Sequence, residues 1–140
     1  MDTHNTSHLP IGAVARHAGV GIDTIRYYER EGLLPPPRRR PSGYGDYDRI
    51  AVDRLKFIRH AKALGFTLED IRELLALSAD HERGVRNVKQ RAEQRLAKLD
   101  QRIRELQQMR RGLKRLIAAC PGRGDPRACP ILHALTEDLR

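Results

Sequence analysis

The sequence predicts a mainly α-helical protein: a helix-turn-helix near its start, a small β-hairpin after it, and one long helix near its end. Three observations predict this fold class. Two short helical patterns flank a glycine-containing break at residues 18–21. Four prolines exclude a helix over residues 35–41. A helical pattern without proline then runs over residues 85–118.

The composition indicates one or two small folding units with an affinity for polyanions. The chain has 140 residues, with 27 Lys and Arg against 18 Asp and Glu, and a formal net charge of +9. Aromatic residues make up only 4% and tryptophan is absent, so helices that pack on a partner chain fit better than one thick core. Residues 1–80 carry 12 basic against 11 acidic side chains, and residues 81–140 carry 15 against 7. Nucleic acid is the first partner that this charge predicts.

No targeting or membrane segment is apparent. The chain lacks an apolar run of roughly 20 residues, the length that crosses a bilayer. Its first ten residues are polar and lack the apolar stretch of a signal peptide. We therefore expect a cytoplasmic protein with no membrane partner. Thiols stay reduced there, and a cysteine pair more often binds a metal or acts in catalysis than forms a structural disulfide.

Residues 10–17 and 22–31 predict the two helices of the helix-turn-helix. Pro10 lies in the opening turn of the first helix, where its missing N–H costs nothing. The second helix is the expected DNA-reading element. On it, the guanidinium of Arg26 is able to pair with a guanine edge or a phosphate, and tyrosine hydroxyls are able to donate to phosphate oxygens.

Residues 32–47 predict the small β-hairpin. Ser42-Gly43 is a turn signal between two short extended stretches. The segment carries three arginines and two tyrosines, so we expect a wing that lies on the phosphate backbone. A solvated loop is the alternative.

Two further helices follow the hairpin. The first is expected over residues 51–64 and is ended by Gly65. Thr67 and Asp70 resemble a capping box, which predicts a fourth helix through Leu77. The side chains of the third helix that we expect to point inward are Val52, Leu55, Ile58 (or Phe57) and Leu64.

The long helical pattern carries an apolar seam close to a heptad repeat. At 1.5 Å per residue a helix of about 34 residues extends roughly 50 Å, and it cannot bury such a stripe alone. We therefore expect a homodimeric coiled coil, with the basic face of the helix mostly solvated. The seam consists of Val85, Val88, Ala92, Leu96, Leu99, Ile103, Leu106, Met109, Leu113 and Leu116.

Two cysteines near the end of the chain, Cys120 and Cys129, are the only ones in the sequence. The eight residues between them include two glycines, two prolines and an aspartate, which predicts a tight loop. Two thiolates on one loop are a site for a thiophilic metal ion. Cys129 precedes a short helix expected over Pro130 to Leu139, whose unpaired N–H groups favour a thiolate. Inert cysteines and a redox disulfide are the alternatives.

An enzymatic function is not expected. The eight-residue separation excludes a CxxC oxidoreductase motif, and no βαβ pattern surrounds the cysteines. No glycine-rich phosphate loop or Ser-His-Asp arrangement is visible. A DNA-architectural protein without a ligand is a further alternative.

An ordered set of motifs resembles the MerR family of bacterial metal- and stress-responsive regulators, over about residues 10–135. The resemblance implies a winged helix-turn-helix, a helical linker, an antiparallel dimerisation coiled coil and an effector-binding tail. It implies binding to a palindromic promoter operator, contact with RNA polymerase, and activation by distortion of the promoter spacer. The motifs are Ile11-Gly12-Ala13-Val14-Ala15, Thr24-Ile25-Arg26-Tyr27-Tyr28-Glu29, Gly32-Leu33-Leu34, Gly43-Tyr44, Tyr47, and Leu64-Gly65-Phe66.

By this resemblance the DNA-binding residues lie on the two helices and around the wing. Gly45 stands where the family usually has an arginine after the Gly-Tyr pair, so Arg38 or Arg40 is the candidate for replacing a phosphate contact. The expected segments are a disordered tail (1–9), the DNA-binding region (10–48), a linker (49–80), the dimerisation helix (84–118) and the metal loop with the last helix (119–140). The predicted DNA-binding residues are Arg16, Arg26, Tyr27, Tyr28, Arg38, Arg39, Arg40, Tyr44 and Tyr47.

The tail resembles the metal loop of the metal-sensing branches, with Cys120 and Cys129 as ligands. Divalent sensors of mercury, cadmium, lead or zinc carry a third cysteine where this chain has Val85. Two thiolates alone suit two-coordinate Cu(I), Ag(I) or Au(I), whereas Zn²⁺ needs four ligands. The expected function is activation of metal-resistance genes in response to such an ion. The copper branch usually spaces its pair by seven residues, so a divalent sensor, with His133 or His81 as an added ligand, and a thiol-redox regulator remain alternatives.

Overall fold

The computed structural model describes residues 8–39 and 45–137. Within these ranges the fold is mainly helical, with one pair of very short strands. The chain divides into two compact units, one up to Arg91 and one from Ala92 onwards. The elements are α1 (Ile11–Ala18), α2 (Ile22–Arg30), β1 (Arg38–Arg39), β2 (Gly45–Asp46), α3 (Arg49–Ala63), α4 (Leu68–Leu77), α5 (Gly84–Ala119), a short 3-10 helix (Pro126–Ala128) and α6 (Pro130–Thr136).

Helices α1 and α2 form the predicted helix-turn-helix. They bury one apolar face each, and these faces share a core with α3 and α4. The end of α2 explains the Gly32-Leu33-Leu34 motif. Gly32 has φ +74°, a left-handed conformation that a side chain disfavours, and the N–H of Leu33 donates to the carbonyl of Tyr28 at 2.9 Å. Leu33 and Leu34 are then each only 1% exposed, so the turn directs two leucines into the core.

The strands β1 and β2 pair antiparallel, with Arg38 opposite Asp46 and Arg39 opposite Gly45. The predicted turn between them lies in 40–44, outside the described residues, so the complete wing stays a prediction. The sequence predicts a disordered tail over residues 1–9. Leu9, however, is ordered. Its N–H and C=O exchange hydrogen bonds of 2.7 and 2.8 Å with Tyr47, which fixes the chain before α1 to the strand end.

Helix α3 begins at an N-cap, Asp48, whose side chain accepts the N–H of Ala51 at 3.0 Å. Its predicted inward residues Val52, Leu55 and Ile58 are buried, and Ile58 rather than Phe57 fills the third position. The expectation for Leu64 is wrong, since it is 66% exposed. The helix ends at Ala63 and the chain turns at Gly65 (φ +87°), so Leu64 leaves the apolar face of the helix.

The predicted capping box of α4 is confirmed. Thr67 accepts the N–H of Asp70, and the Asp70 side chain accepts the N–H of Thr67, at 3.1 and 3.0 Å. The helix ends at Leu77, as expected.

Helix α5 spans 36 residues and contains the whole predicted apolar seam. Within this single chain the seam is uncovered, and its middle side chains are between 41% and 59% exposed. In the described residues no helix is long and apolar enough to cross a membrane. The last helix, α6, ends at Thr136, before the predicted Leu139, and residues 138–140 lie outside the described part. The exposed seam residues are Leu96, Leu99, Ile103, Leu106, Met109 and Leu113.

Candidate nucleic-acid interface and metal centre

The outer face of α2 presents Arg26 and Tyr27, two of the predicted DNA-binding residues. Arg26 is exposed, and Tyr27 is 39% exposed. Arg30, one turn after Arg26, is also exposed and places its guanidinium carbon 6.0 Å from the centre of the Tyr27 ring. Arg30 is not among the predicted DNA-binding residues, although its spacing of four from Arg26 puts both on one face of the helix. This face offers two guanidinium groups and a phenol to a polyanion.

Two of the predicted DNA-contacting tyrosines lie in the core instead. Tyr28 is 6% exposed, and burial, followed by the neighbouring Tyr27, raises its pKa above the usual value for a phenol. Its spacing of three from Ile25, which is fully buried, puts both on the inner face of α2. Tyr47 is 5% exposed, and its hydroxyl donates to Glu29 Oε2 at 2.7 Å. Both tyrosines therefore pack α2 against the core, and their predicted contact with DNA stays a prediction.

The remaining predicted DNA-binding residues are distributed as follows. Arg16 on α1 and Arg38 on β1 are exposed. Arg39 pairs through its backbone with Gly45, and Arg40 and Tyr44 lie outside the described residues. Arg38 also lines an open groove with Arg54 of α3. Arg54 lies off the apolar face of α3, so the helical pattern that predicts the core does not point to it.

The loop between α5 and α6 brings Cys120 and Cys129 to one open cavity of about 340 Å³. The sulfur of Cys120 accepts the N–H of Gly122 at 3.4 Å. Asp125 caps the 3-10 helix by accepting the N–H of Arg127 at 2.9 Å. That N–H, and then the Arg127 guanidinium, lower the pKa of Asp125. The loop is thus held by short local contacts that keep the two thiols at its ends near each other.

Cys129 is the N-cap residue of α6, as predicted. The backbone N–H of Leu132 lowers the pKa of its thiol, with smaller contributions from the N–H of Ile131 and from the Cys120 thiol. None of these N–H groups closes a cap hydrogen bond of standard geometry to the sulfur. The effect is therefore electrostatic, because the positive partial charge at the N-terminal end of α6 favours the thiolate of Cys129.

The donor set of the site is two thiols. Within residues 8–39 and 45–137, no group of three or more His, Cys, Asp or Glu side chains is placed to hold a metal ion. His133 turns to the loop backbone, where its Nε2 lies 2.8 Å from the carbonyl oxygen of Arg127. A carbonyl only accepts, so in this arrangement Nε2 is the donor of the hydrogen bond and only Nδ1 keeps a lone pair. Val85, the position at which the resemblance places the third cysteine of divalent sensors, is 88% exposed and offers no donor atom. The two thiols fit a thiophilic metal ion.

The fold and site define a helix-turn-helix DNA-binding regulator with a thiol site. Two family models match the chain: the MerR HTH family regulatory protein over residues 9–78, and the MerR DNA-binding region over residues 52–116. The HTH-type transcriptional regulator HmrR of Rhizobium leguminosarum is 41% identical over 129 residues, covering 92% of this chain and 98% of HmrR.

Two solved structures share the fold. PbrR691 from Ralstonia metallidurans CH34, in complex with lead(II), has a TM-score of 0.80 and 35% identity, covering 91% of this chain and 98% of PbrR691. MerR from Bacillus megaterium MB1, in complex with mercury(II), has a TM-score of 0.71 and 34% identity, covering 92% of this chain and all of MerR.

The chain belongs to the MerR family of transcription regulators. Members of this family bind DNA and are not enzymes, and its relatives include sensors of several metal ions. The family, the mainly helical fold class and the non-enzymatic function that the sequence predicted are confirmed.

Proposed function

We propose that this protein is a homodimeric transcription activator that senses a monovalent coinage metal, Cu(I) first, through Cys120 and Cys129. The observation that carries the proposal is the donor set: two thiols at one cavity, with no third ligand grouped with them among the described residues. Two-coordinate Cu(I), Ag(I) and Au(I) are satisfied by two thiolates, whereas Zn²⁺ is not.

The proposed DNA contact uses the exposed face of α2 and the wing. Arg26, Tyr27 and Arg30 meet the major groove, while Arg16, Arg38 and Arg39 meet phosphates beside it. Base contacts determine which sequence is bound, whereas phosphate contacts fix the position of the protein on DNA. Arg26→Ala should therefore relax the base preference. Arg39→Ala should weaken binding more uniformly, and each base contact contributes about 1–3 kcal/mol. Within the cell such a regulator works in the cytoplasm, where promoter DNA and RNA polymerase are found.

The proposed dimer is formed by the uncovered seam of α5. Leu96, Leu99 and Ile103 are 55%, 41% and 45% exposed in the single chain, which is unfavourable for leucine and isoleucine side chains in water. Pairing with the same seam of a second copy buries them, and the two heads of that dimer match a palindromic operator.

The proposed metal ligands, Cys120 and Cys129, already line one cavity in the loop between α5 and α6. The N-terminal end of α6 keeps Cys129 toward its thiolate form, and the Gly122 N–H orients the sulfur of Cys120. The hydrogen bond of His133 to the Arg127 carbonyl joins α6 to the loop. A coinage metal supplies two strong bonds to sulfur, so it would hold the end of α5 and the start of α6 together. Closure of the loop then repositions α5, which changes the angle between the DNA-binding heads and untwists the promoter spacer.

A divalent sensor is the second candidate, favoured by two observations. The lead(II)- and mercury(II)-bound structures are 35% and 34% identical to this chain, and the eight-residue loop matches the divalent branch in length. Anaerobic titration of the reduced protein with Cu(I) and Zn(II), each against a chelator of known affinity, separates the candidates. Tight binding of Zn(II), with weak Cu(I) binding, would establish the divalent sensor.

The activation mechanism is tested by run-off transcription with Cys120→Ser and Cys129→Ser. Each variant should bind the operator nearly as well as wild type and lose the response to Cu(I). Full response in either variant, or complete loss of operator binding, would contradict the mechanism. Thiol titration after mild peroxide, with and without metal, tests the redox alternative on the same protein.

A further inference from the structure

Two adjacent charged residues of α4 connect it to two different helices. Arg72 donates from Nη2 to the backbone carbonyl of Glu31 at 2.6 Å, at the C-terminal end of the recognition helix α2. Nη1 of Arg72 forms an ion pair with Glu69 Oε2 at 2.9 Å. The next residue, Glu73, forms an ion pair of 2.9 Å with Arg91 of α5. Successive helical residues point about 100° apart, so one turn of α4 faces both neighbours.

The contact of Arg72 is placed where a cation is most favourable. The last carbonyls of a helix lack intrahelical partners and carry its negative partial charge. Glu31 is the C-cap residue of α2, so the guanidinium satisfies an unpaired carbonyl and binds the negative end of the recognition helix. The two residues are 41 positions apart, so this contact joins α4 to α2 and is not local.

The ion pair of Glu73 and Arg91 has a partly desolvated acceptor. Glu73 Oε2 is shielded from water and makes no hydrogen bond of standard geometry, so the Arg91 guanidinium is its compensating charge. Removing that charge leaves a shielded carboxylate oxygen without a partner. The pair therefore favours one position of α5 against α4 more strongly than a fully exposed pair would.

The start of α5 is also fixed closely to the end of α4. Gly84 is buried, and a Cβ at this position would collide with the carbonyl oxygen of Leu77. The N–H of Gly84 donates to the carbonyl of Asp80 at 2.9 Å. Arg91 lies about two turns further along α5. The junction thus has a close contact at Gly84 and an ionic contact at Arg91, which together set the direction of this part of α5.

We propose that α4 couples α5 to the recognition helix, with the Glu73–Arg91 pair as the joint to α5 and Arg72 as the joint to α2. The proposal rests on the proposed function, in which the metal signal enters α5 from the cysteine loop that follows it. A shift of α5 moves Glu73 and, through α4, moves the Arg72 guanidinium against the end of α2. These are positioning residues that act through the backbone of α2.

The first test needs neither metal nor transcription. Hydrogen exchange of the peptide covering residues 22–32 is measured by mass spectrometry in the free full-length protein. Arg91→Gln should accelerate exchange in that peptide by at least about threefold, although residue 91 belongs to a different element. The charge-swapped double variant Glu73→Arg/Arg91→Glu should restore most of the protection. Unchanged exchange in Arg91→Gln, or a double variant as fast as the single one, would overturn the proposal.

The matched control is an ion pair within one helix. Arg102 and Glu105 of α5 lie 3.6 Å apart on neighbouring turns and join no second element. Arg102→Gln should leave exchange of residues 22–32 at the wild-type rate. An equal acceleration by Arg102→Gln would mean that lost charge, and not the joint to α4, causes the effect.

The second test measures regulation. In run-off transcription, Glu73→Gln and Arg72→Gln should each reduce the ratio of Cu(I)-induced to basal transcript by at least about threefold. Cu(I) affinity measured by chelator competition should stay within about twofold of wild type. A parallel loss of Cu(I) affinity would contradict a coupling role. If wild type itself does not respond to Cu(I), the proposed function fails, and the exchange experiment still decides the coupling.

Discussion

Replacement of Tyr47 by Phe separates a structural role from a DNA-binding role. The hydroxyl donates to Glu29 Oε2 at 2.7 Å, and the side chain is 5% exposed. A hydrogen bond to a charged group contributes about 1.5–3 kcal/mol, and partial exposure of Glu29 puts this one near the lower end. We expect Tyr47→Phe to lower the free energy of unfolding by about 1.5 kcal/mol. With a urea m value of about 2 kcal/mol/M, the midpoint should fall by roughly 0.7 M.

The assay is urea unfolding followed by far-UV circular dichroism at one fixed protein concentration, because the stability of the proposed dimer depends on concentration. Tyr27→Phe is the matched control. Its ring is 39% exposed on α2, the helix that also carries Glu29, so the free energy of unfolding of this variant should change by less than about 0.5 kcal/mol. A double-mutant cycle with Glu29→Gln isolates the pair, and its coupling energy should account for most of the loss.

The opposite pattern would refute this reasoning. If Tyr47→Phe unfolded at the wild-type midpoint but bound the operator more weakly, the hydroxyl would be a phosphate contact, as the sequence alone had suggested. A zero coupling energy with Glu29→Gln would also contradict the assigned hydrogen bond.

Three further outcomes follow from the described geometry. Leu99→Glu with Ile103→Glu should give monomers in sedimentation analysis, because charges replace the exposed seam; an intact dimer would contradict the coiled coil. Arg26→Ala should bind all operator variants with more similar affinity, measured by fluorescence anisotropy at constant salt, and unchanged discrimination would exclude a base contact. In Cys120→Ser, the lowered pKa of Cys129 should keep its thiol alkylated rapidly by iodoacetamide as pH falls below the value of about 8.5 for a free cysteine. A midpoint at or above that value would contradict the helix-end effect.

Much of the first unit could be predicted because its signals are local. The capping box needs only Thr67 and Asp70, three residues apart, and both hydrogen bonds formed as expected. Gly32 ends α2 because the left-handed turn needs no distant partner. The periodicity of α3 placed Leu55 inside for the same reason. The prediction that Leu64 points inward was wrong because the helix ends one residue before it. An element boundary is set by competing local and tertiary contacts.

The roles of the aromatic residues on α2 could not be assigned from the family motif alone. The motif places Tyr27 and Tyr28 side by side on the DNA-reading helix, which predicts a DNA contact for both. The structure separates them by about 100° around the helix axis, which puts one outside and the other beside Ile25 in the core. The spacing from Ile25 contains this signal.

By itself the sequence determined the helix-turn-helix, the long helix with its apolar seam, and a thiol pair on a short loop, because periodicity, turn residues and cysteine spacing are properties of neighbouring residues. The tertiary structure decided which charged and polar groups meet. Tyr47 pairs with Glu29 across 18 residues, and Arg72 reaches the Glu31 carbonyl across 41. Such contacts depend on how whole elements pack around the shared core, and no local pattern encodes them.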